Sequence, residues 1–76
     1  MKKTSSKGLQ RLRELAGLGQ YEAAKKARID RSRLSLIENG HVEAEPAELQ
    51  ALMGVIRVAF REKAKEFERI VGAEAA

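Results

Sequence analysis

From Leu49 to Val71 the apolar side chains Leu49, Leu52, Met53, Ile56, Phe60, Ala64, Phe67, Ile70 and Val71 recur at steps of three and four residues, the period of one helix face. Pro46, the chain's only proline, stands just upstream. There its missing N–H costs nothing at the first helical position, and Glu48 follows in the first turn, where a carboxylate suits the helix dipole. A helix over 46–71 is therefore expected, and at about 1.5 Å per residue it runs roughly 39 Å. A chain of 76 residues holds one small domain. Only residues 1–45 remain to cover this helix, so its second half overhangs. Gly54 is the weak point, costing about 1 kcal/mol relative to alanine and offering a place where the stripe divides in two. The fold class is all-α, with four to five helices and a long C-terminal one.

The upstream residues fall into short helical segments. Leu9, Leu12 and Leu15 recur at three-residue spacing and place a first helix over 6–16, with Gly17 ending it in a left-handed conformation and Leu18 plugging into the core. Gly19 serves as N-cap of a second helix to Ala27, with Glu22 in its first turn. The small side chains of Ala23, Ala24 and Ala27 allow another helix to approach closely. Arg28 and Ile29 interrupt, Asp30 caps a third helix over Arg31–Glu38, and Asn39-Gly40 stops it. On that third helix Leu34 and Ile37 share one side; Ser32, Ser35 and Leu36 lie opposite, flanked by Arg31 and Arg33. Residues 41–45 read as a loop, and 72–76 as a frayed tail.

Composition narrows the chemistry. With no cysteine and a single histidine, disulfides, thiolate zinc sites and multi-histidine metal sites are not available. Ser35, Glu38 and His41 lie close in sequence, yet no glycine-rich oxyanion loop accompanies them, so no enzyme, cofactor or small-molecule ligand is expected. Lys2 and Lys3 lead into polar Thr4-Ser5-Ser6 and not into an apolar stretch, which points to a soluble cytoplasmic protein with no membrane partner. The charge is unevenly placed: residues 1–41 carry ten Lys/Arg against four acids, whereas 42–76 carry five against seven. A basic first half suits a polyanion. The expected division is a basic arm at 1–6, a domain over 7–58 and a dimerising extension over 59–76.

Two short helices joined by a tight connection, the second displaying an outward face that begins Arg31-Ser32-Arg33, make a helix-turn-helix, whose second helix fits the major groove of DNA. The run from Leu12 to Gln20 (LRELAGLGQ), the pair Ala23-Ala24 and the run from Ile29 to Gly40 (IDRSRLSLIENG) resemble the phage-repressor/Cro class of helix-turn-helix proteins, the XRE family. The resemblance covers about residues 9–56 and implies a lambda-repressor-like domain. It implies that Gln20 donates to a phosphate, that Asn39 holds another, and that Arg31, Ser32 and Leu36 occupy base-reading positions. The chemistry of those three is apt. Arginine can donate two bonds to guanine O6 and N7, serine serves several bases, and leucine offers apolar contact to a thymine methyl. Arg33 and Ser35 are assigned to the phosphates on either side. The resemblance further pairs Arg13 with Glu38. It is broken where Arg28 stands in place of a usual small residue, in a turn that can demand positive φ; its guanidinium would add a phosphate contact. It is broken again at His41-Val-Glu-Ala-Glu45, acidic where relatives often carry Lys or Arg.

The implied partner is double-stranded DNA, read by a nucleoid-associated transcriptional regulator, a repressor by expectation, on a palindromic operator. A homodimer is expected to join through Phe60, Phe67, Ile70 and Val71, because an exposed apolar stripe demands cover. A reading from another class is a protein-interaction module, such as an antitoxin or coactivator-like adaptor, that uses the same fold to grip a protein.

Overall fold

The computed structural model describes residues 6–75; the expected basic arm lies outside them except for Ser6. Four helices follow in order: α1 (Ser6–Leu15), α2 (Gln20–Ala27), α3 (Arg31–Glu38) and α4 (Pro46–Ala75). The stripe read over 46–71 is one unbroken helix that passes through Gly54 and continues beyond Gly72. Ala73, Glu74 and Ala75 extend it past the expected end at Val71, as strong helix formers can. At about 1.5 Å per residue its 30 residues span roughly 45 Å. That accounts for the long axis of a molecule measuring 49 × 27 × 18 Å.

The first three helices end in the same way. After α1, Gly17 N–H donates to Glu14 C=O at 2.9 Å and Leu18 N–H to Arg13 C=O at 3.1 Å. After α2, Arg28 N–H donates to Lys25 C=O and Ile29 N–H to Ala24 C=O; after α3, Gly40 N–H donates to Ile37 C=O and His41 N–H to Leu36 C=O. Each is a Schellman termination, which needs a left-handed residue at its centre. Gly17 and Gly40 take φ 80, and Arg28 takes φ 61 with a side chain attached. Asp30 holds the N-cap position of α3 in extended backbone, but its carboxylate makes no capping hydrogen bond, so the expected cap is positional only.

The core lies where α1, α2, α3 and the first half of α4 meet. Leu9, Ala16, Leu18, Ala23, Ala24, Ala27, Leu34, Ile37, Leu52 and Ile56 are buried. On α2 the three alanines face inward, and the contact they permit is mainly with α4 and α3. Leu15 departs from the sequence reading and is 54% exposed. Three-residue steps rotate by about 60° each relative to a full turn, so Leu15 has drifted off the face set by Leu9 and Leu12. Arg13 and Ala16 take the inward positions instead. Along α4, burial stops after Ala59, and every described side chain from Phe60 to Glu74 is exposed.

Backbone strain at Arg28 can be measured. A Cβ added at Gly17 would meet only the Lys63 Nζ at 3.7 Å, ordinary contact, so the cost of Gly17→Ala is torsional. Chemical denaturation should show a loss of about 1–2 kcal/mol for Gly17→Ala. Arg28→Gly should instead gain a little, less than about 1 kcal/mol, because relief of strain is partly offset by the freer unfolded chain. A clear loss on Arg28→Gly would contradict the strain account.

Candidate nucleic-acid interface

The helix-turn-helix is held together by one buried charge cluster. Glu38, at the last position of α3, puts a carboxylate where the helix dipole is unfavourable to it, and it is almost wholly buried. Arg13 of α1 meets it with two parallel bonds, Nε to Oε2 at 2.7 Å and Nη2 to Oε1 at 3.0 Å. Arg13 Nη1 also donates to the Leu18 carbonyl at 2.8 Å. Gln20, the first residue of α2, donates from Nε2 to Glu38 Oε1 at 2.9 Å. Hydrogen bonding to Glu38 raises the Arg13 pKa above its usual value, against the opposing effect of burial. No buried side-chain polar atom among the described residues lacks a partner. The cluster therefore ties α1, the α1–α2 turn, α2 and α3 into one unit.

On α3, three rows of residues four apart run side by side. The row of Arg31 and Ser35 faces the α2 edge: Arg31 Nη1 donates to Gln20 Oε1 at 3.4 Å. The row of Ser32 and Leu36 points outward; both are exposed, Leu36 to 43%, while Leu34 and Ile37 behind them are at 0% and 3%. Arg33, sharing a row with Ile37, faces α4. Just beyond the end of α3, Asn39 Nδ2 donates to Ser35 Oγ at 3.3 Å. The fold thus brings Arg31 together with Gln20 and Ser35 with Asn39. A primary amide nitrogen carries two hydrogens, so Gln20 retains a donor beyond the one given to Glu38. Arg28 caps α2 with its side chain exposed, at the connection into α3.

Arg33 has a partner that sequence reasoning missed. Its guanidinium forms a fork with Glu48 in the first turn of α4, Nε to Oε2 and Nη2 to Oε1, the latter at 2.8 Å. Glu48 Oε1 also accepts the Glu45 N–H at 2.9 Å, the backward half of a capping box at the start of α4. The Arg33 fork, and next to it the Glu45 N–H, hold the Glu48 carboxyl down at about 2. A lowered carboxyl stabilises the fold above its ordinary range and loses that contribution as pH falls through its folded value, so this link persists across all mildly acid conditions. The sequence places Glu48 in the first turn of α4, where a carboxylate suits the helix dipole, but discloses neither its bond to the Glu45 N–H nor the arginine.

Phe60, Phe67, Ile70 and Val71 are exposed to 38%, 63%, 52% and 44% along the projecting part of α4. Tyr21 and Lys25, on the outer side of α2, were not singled out in the sequence; the Lys25 ammonium lies 6.0 Å from the Tyr21 ring centre, and Tyr21 is 65% exposed. No helix among the described residues is long and apolar enough to cross a membrane.

A short helix that shows a polar and apolar row to solvent, braced from behind by a buried ion pair to the preceding helices, defines a helix-turn-helix nucleic-acid-binding unit. The helix-turn-helix family model, of the XRE/Cro type, matches residues 9–63, and the chain belongs to that family: it is a DNA-binding transcription regulator of the XRE type. Comparison with curated proteins and with solved structures finds no match to either.

Arg13→Met strands a buried carboxylate, and breaking such a pair costs about 3–5 kcal/mol, comparable to the whole stability of a domain this small. Circular dichroism should find Arg13→Met largely unfolded at room temperature and Arg13→Met/Glu38→Leu substantially recovered. A single variant as stable as the native chain would remove the cluster from its structural role.

Proposed function

We propose that this regulator is a repressor that binds a palindromic operator as a homodimer, each subunit laying α3 in the major groove and the pair occupying DNA that polymerase requires. One observation carries the reading: the Ser32/Leu36 row is turned to solvent on a helix whose other apolar residues are buried. An exposed leucine in that row has an occupation if it meets a thymine methyl, with Arg31 donating to guanine and Ser32 to a neighbouring base. Gln20, Ser35 and Asn39 are the phosphate contacts that fix register on the α2 edge, and Arg28 is a further one. Strain retained at Arg28 in place of a usual small residue supports a role for its side chain.

The homodimer reading rests on α4. Past Ala59 the stripe that faced the core continues with no core to cover it. Two such segments paired about a two-fold axis would bury Phe60, Phe67, Ile70 and Val71 against their copies. Successive major-groove faces of DNA are about 34 Å apart, and a two-fold dimer whose reading helices match that spacing selects a palindrome.

Selection from a random oligonucleotide pool tests the whole proposal: enrichment of a palindrome is expected, and salt-sensitive binding with no enrichment would favour an adaptor that grips a protein. On the selected site Arg31→Ala should cost about 1–3 kcal/mol and relax preference at one base position, whereas Asn39→Ala should weaken all sequences alike. Uniform losses for Arg31→Ala would contradict a base contact. In sedimentation, Phe67→Glu should shift the chain to monomer while its helical signal is retained, since Phe67 lies outside the core. An unchanged oligomer would place the interface elsewhere.

A further inference from the structure

The α4 edge of α3 is acidic where a DNA-binding face would ordinarily be basic. Glu48 stands at this edge within reach of Arg33, and the loop leading to it carries Glu43 and Glu45. The opposite edge bears Gln20, Ser35 and Asn39, neutral groups that can each donate to a phosphate. A major groove is about 12 Å wide, so a helix seated in it has a phosphate backbone along each side. One backbone meets the donors. The other runs toward Glu48.

Arg33 decides what that second backbone encounters. Both Glu48 oxygens are taken by the arginine fork, and one of them also by the Glu45 N–H. Swinging the guanidinium to a phosphate would break two charge-assisted bonds to gain bonds of the same kind, exchanging one anion for another. It would also leave an unmasked carboxylate facing DNA, where like charges repel. Staying in place costs nothing and leaves Glu48 neutralised within its pair.

We propose that Arg33 serves DNA binding by masking the Glu48 carboxylate and not by contacting a phosphate, as its place beside the reading row would suggest. The inference rests on the DNA-binding reading of α3. It assigns to the Arg33–Glu48 pair the charge compensation that makes an acidic α3–α4 loop compatible with a duplex.

The test compares four proteins, native, Arg33→Met, Glu48→Gln and the double variant, binding a labelled random-sequence duplex over a range of salt. The native chain binding no duplex would sink the DNA reading itself. Given native binding, masking predicts that Arg33→Met weakens it roughly tenfold, and that Arg33→Met/Glu48→Gln returns to within about twofold of native with the native salt slope. A double variant that stays weak, with a salt slope smaller by about 0.9, would make Arg33 a phosphate contact and overturn the proposal. A weak double variant with an unchanged slope would make the pair a purely mechanical clamp and overturn it too. In the native protein, the Arg33 Nε–H resonance should keep its position on addition of DNA; a large shift would show the fork leaving Glu48.

Discussion

The orientation of α3 depends on a carboxylate placed where it should not be comfortable. Glu38 ends that helix, buried, at the negative pole of the dipole. Its charge is tolerable only because Arg13 arrives from α1 with a two-bond fork and Gln20 adds a third donor from α2. Apolar burial between short helices is weakly directional, whereas a fork and an amide fix both angle and register. The same Gln20 then holds Arg31 at the start of the outward face. A chain of bonds thus runs from the interior of the domain to the residue proposed to read a base, so preorganisation of the surface and integrity of the core are the same question.

Helix identity was legible from the sequence wherever apolar periodicity and helix-ending residues agreed. Gly17, Gly40 and Pro46 mark three helix boundaries, and the three alanines of α2 announce a close contact. Inward and outward faces of α3 followed from the period alone, and Leu34, Ile37, Ser32 and Leu36 lie accordingly. Leu15 lies off the inward face because three-residue steps accumulate a rotation that even spacing does not reveal. Asp30 occupies the cap position without making the cap bond, a distinction of side-chain torsion that sequence does not carry.

Pairings between elements were the least accessible. Arg13 and Glu38 are 25 residues apart, and only the family resemblance suggested them. Arg33 and Glu48 lie on helices whose crossing cannot be deduced from either, and no comparable resemblance pointed to them. Arg33 is assigned to a phosphate because it flanks the reading row. It flanks that row on the side where α4 begins, and a carboxylate stands there. Charge counted along the chain showed a basic half and an acidic half; the fold places part of the acidic half at the rim of the basic surface.

Adding the selected duplex to isotope-labelled protein and following each amide and side-chain resonance tests most directly whether α3 carries the DNA contact. Perturbations concentrated at Gln20, Arg31, Ser32, Ser35, Leu36 and Asn39, with residues of the projecting end of α4 unmoved, are the predicted result. Shifts confined to α4 beyond Ala59, with the outward row of α3 silent, would contradict it.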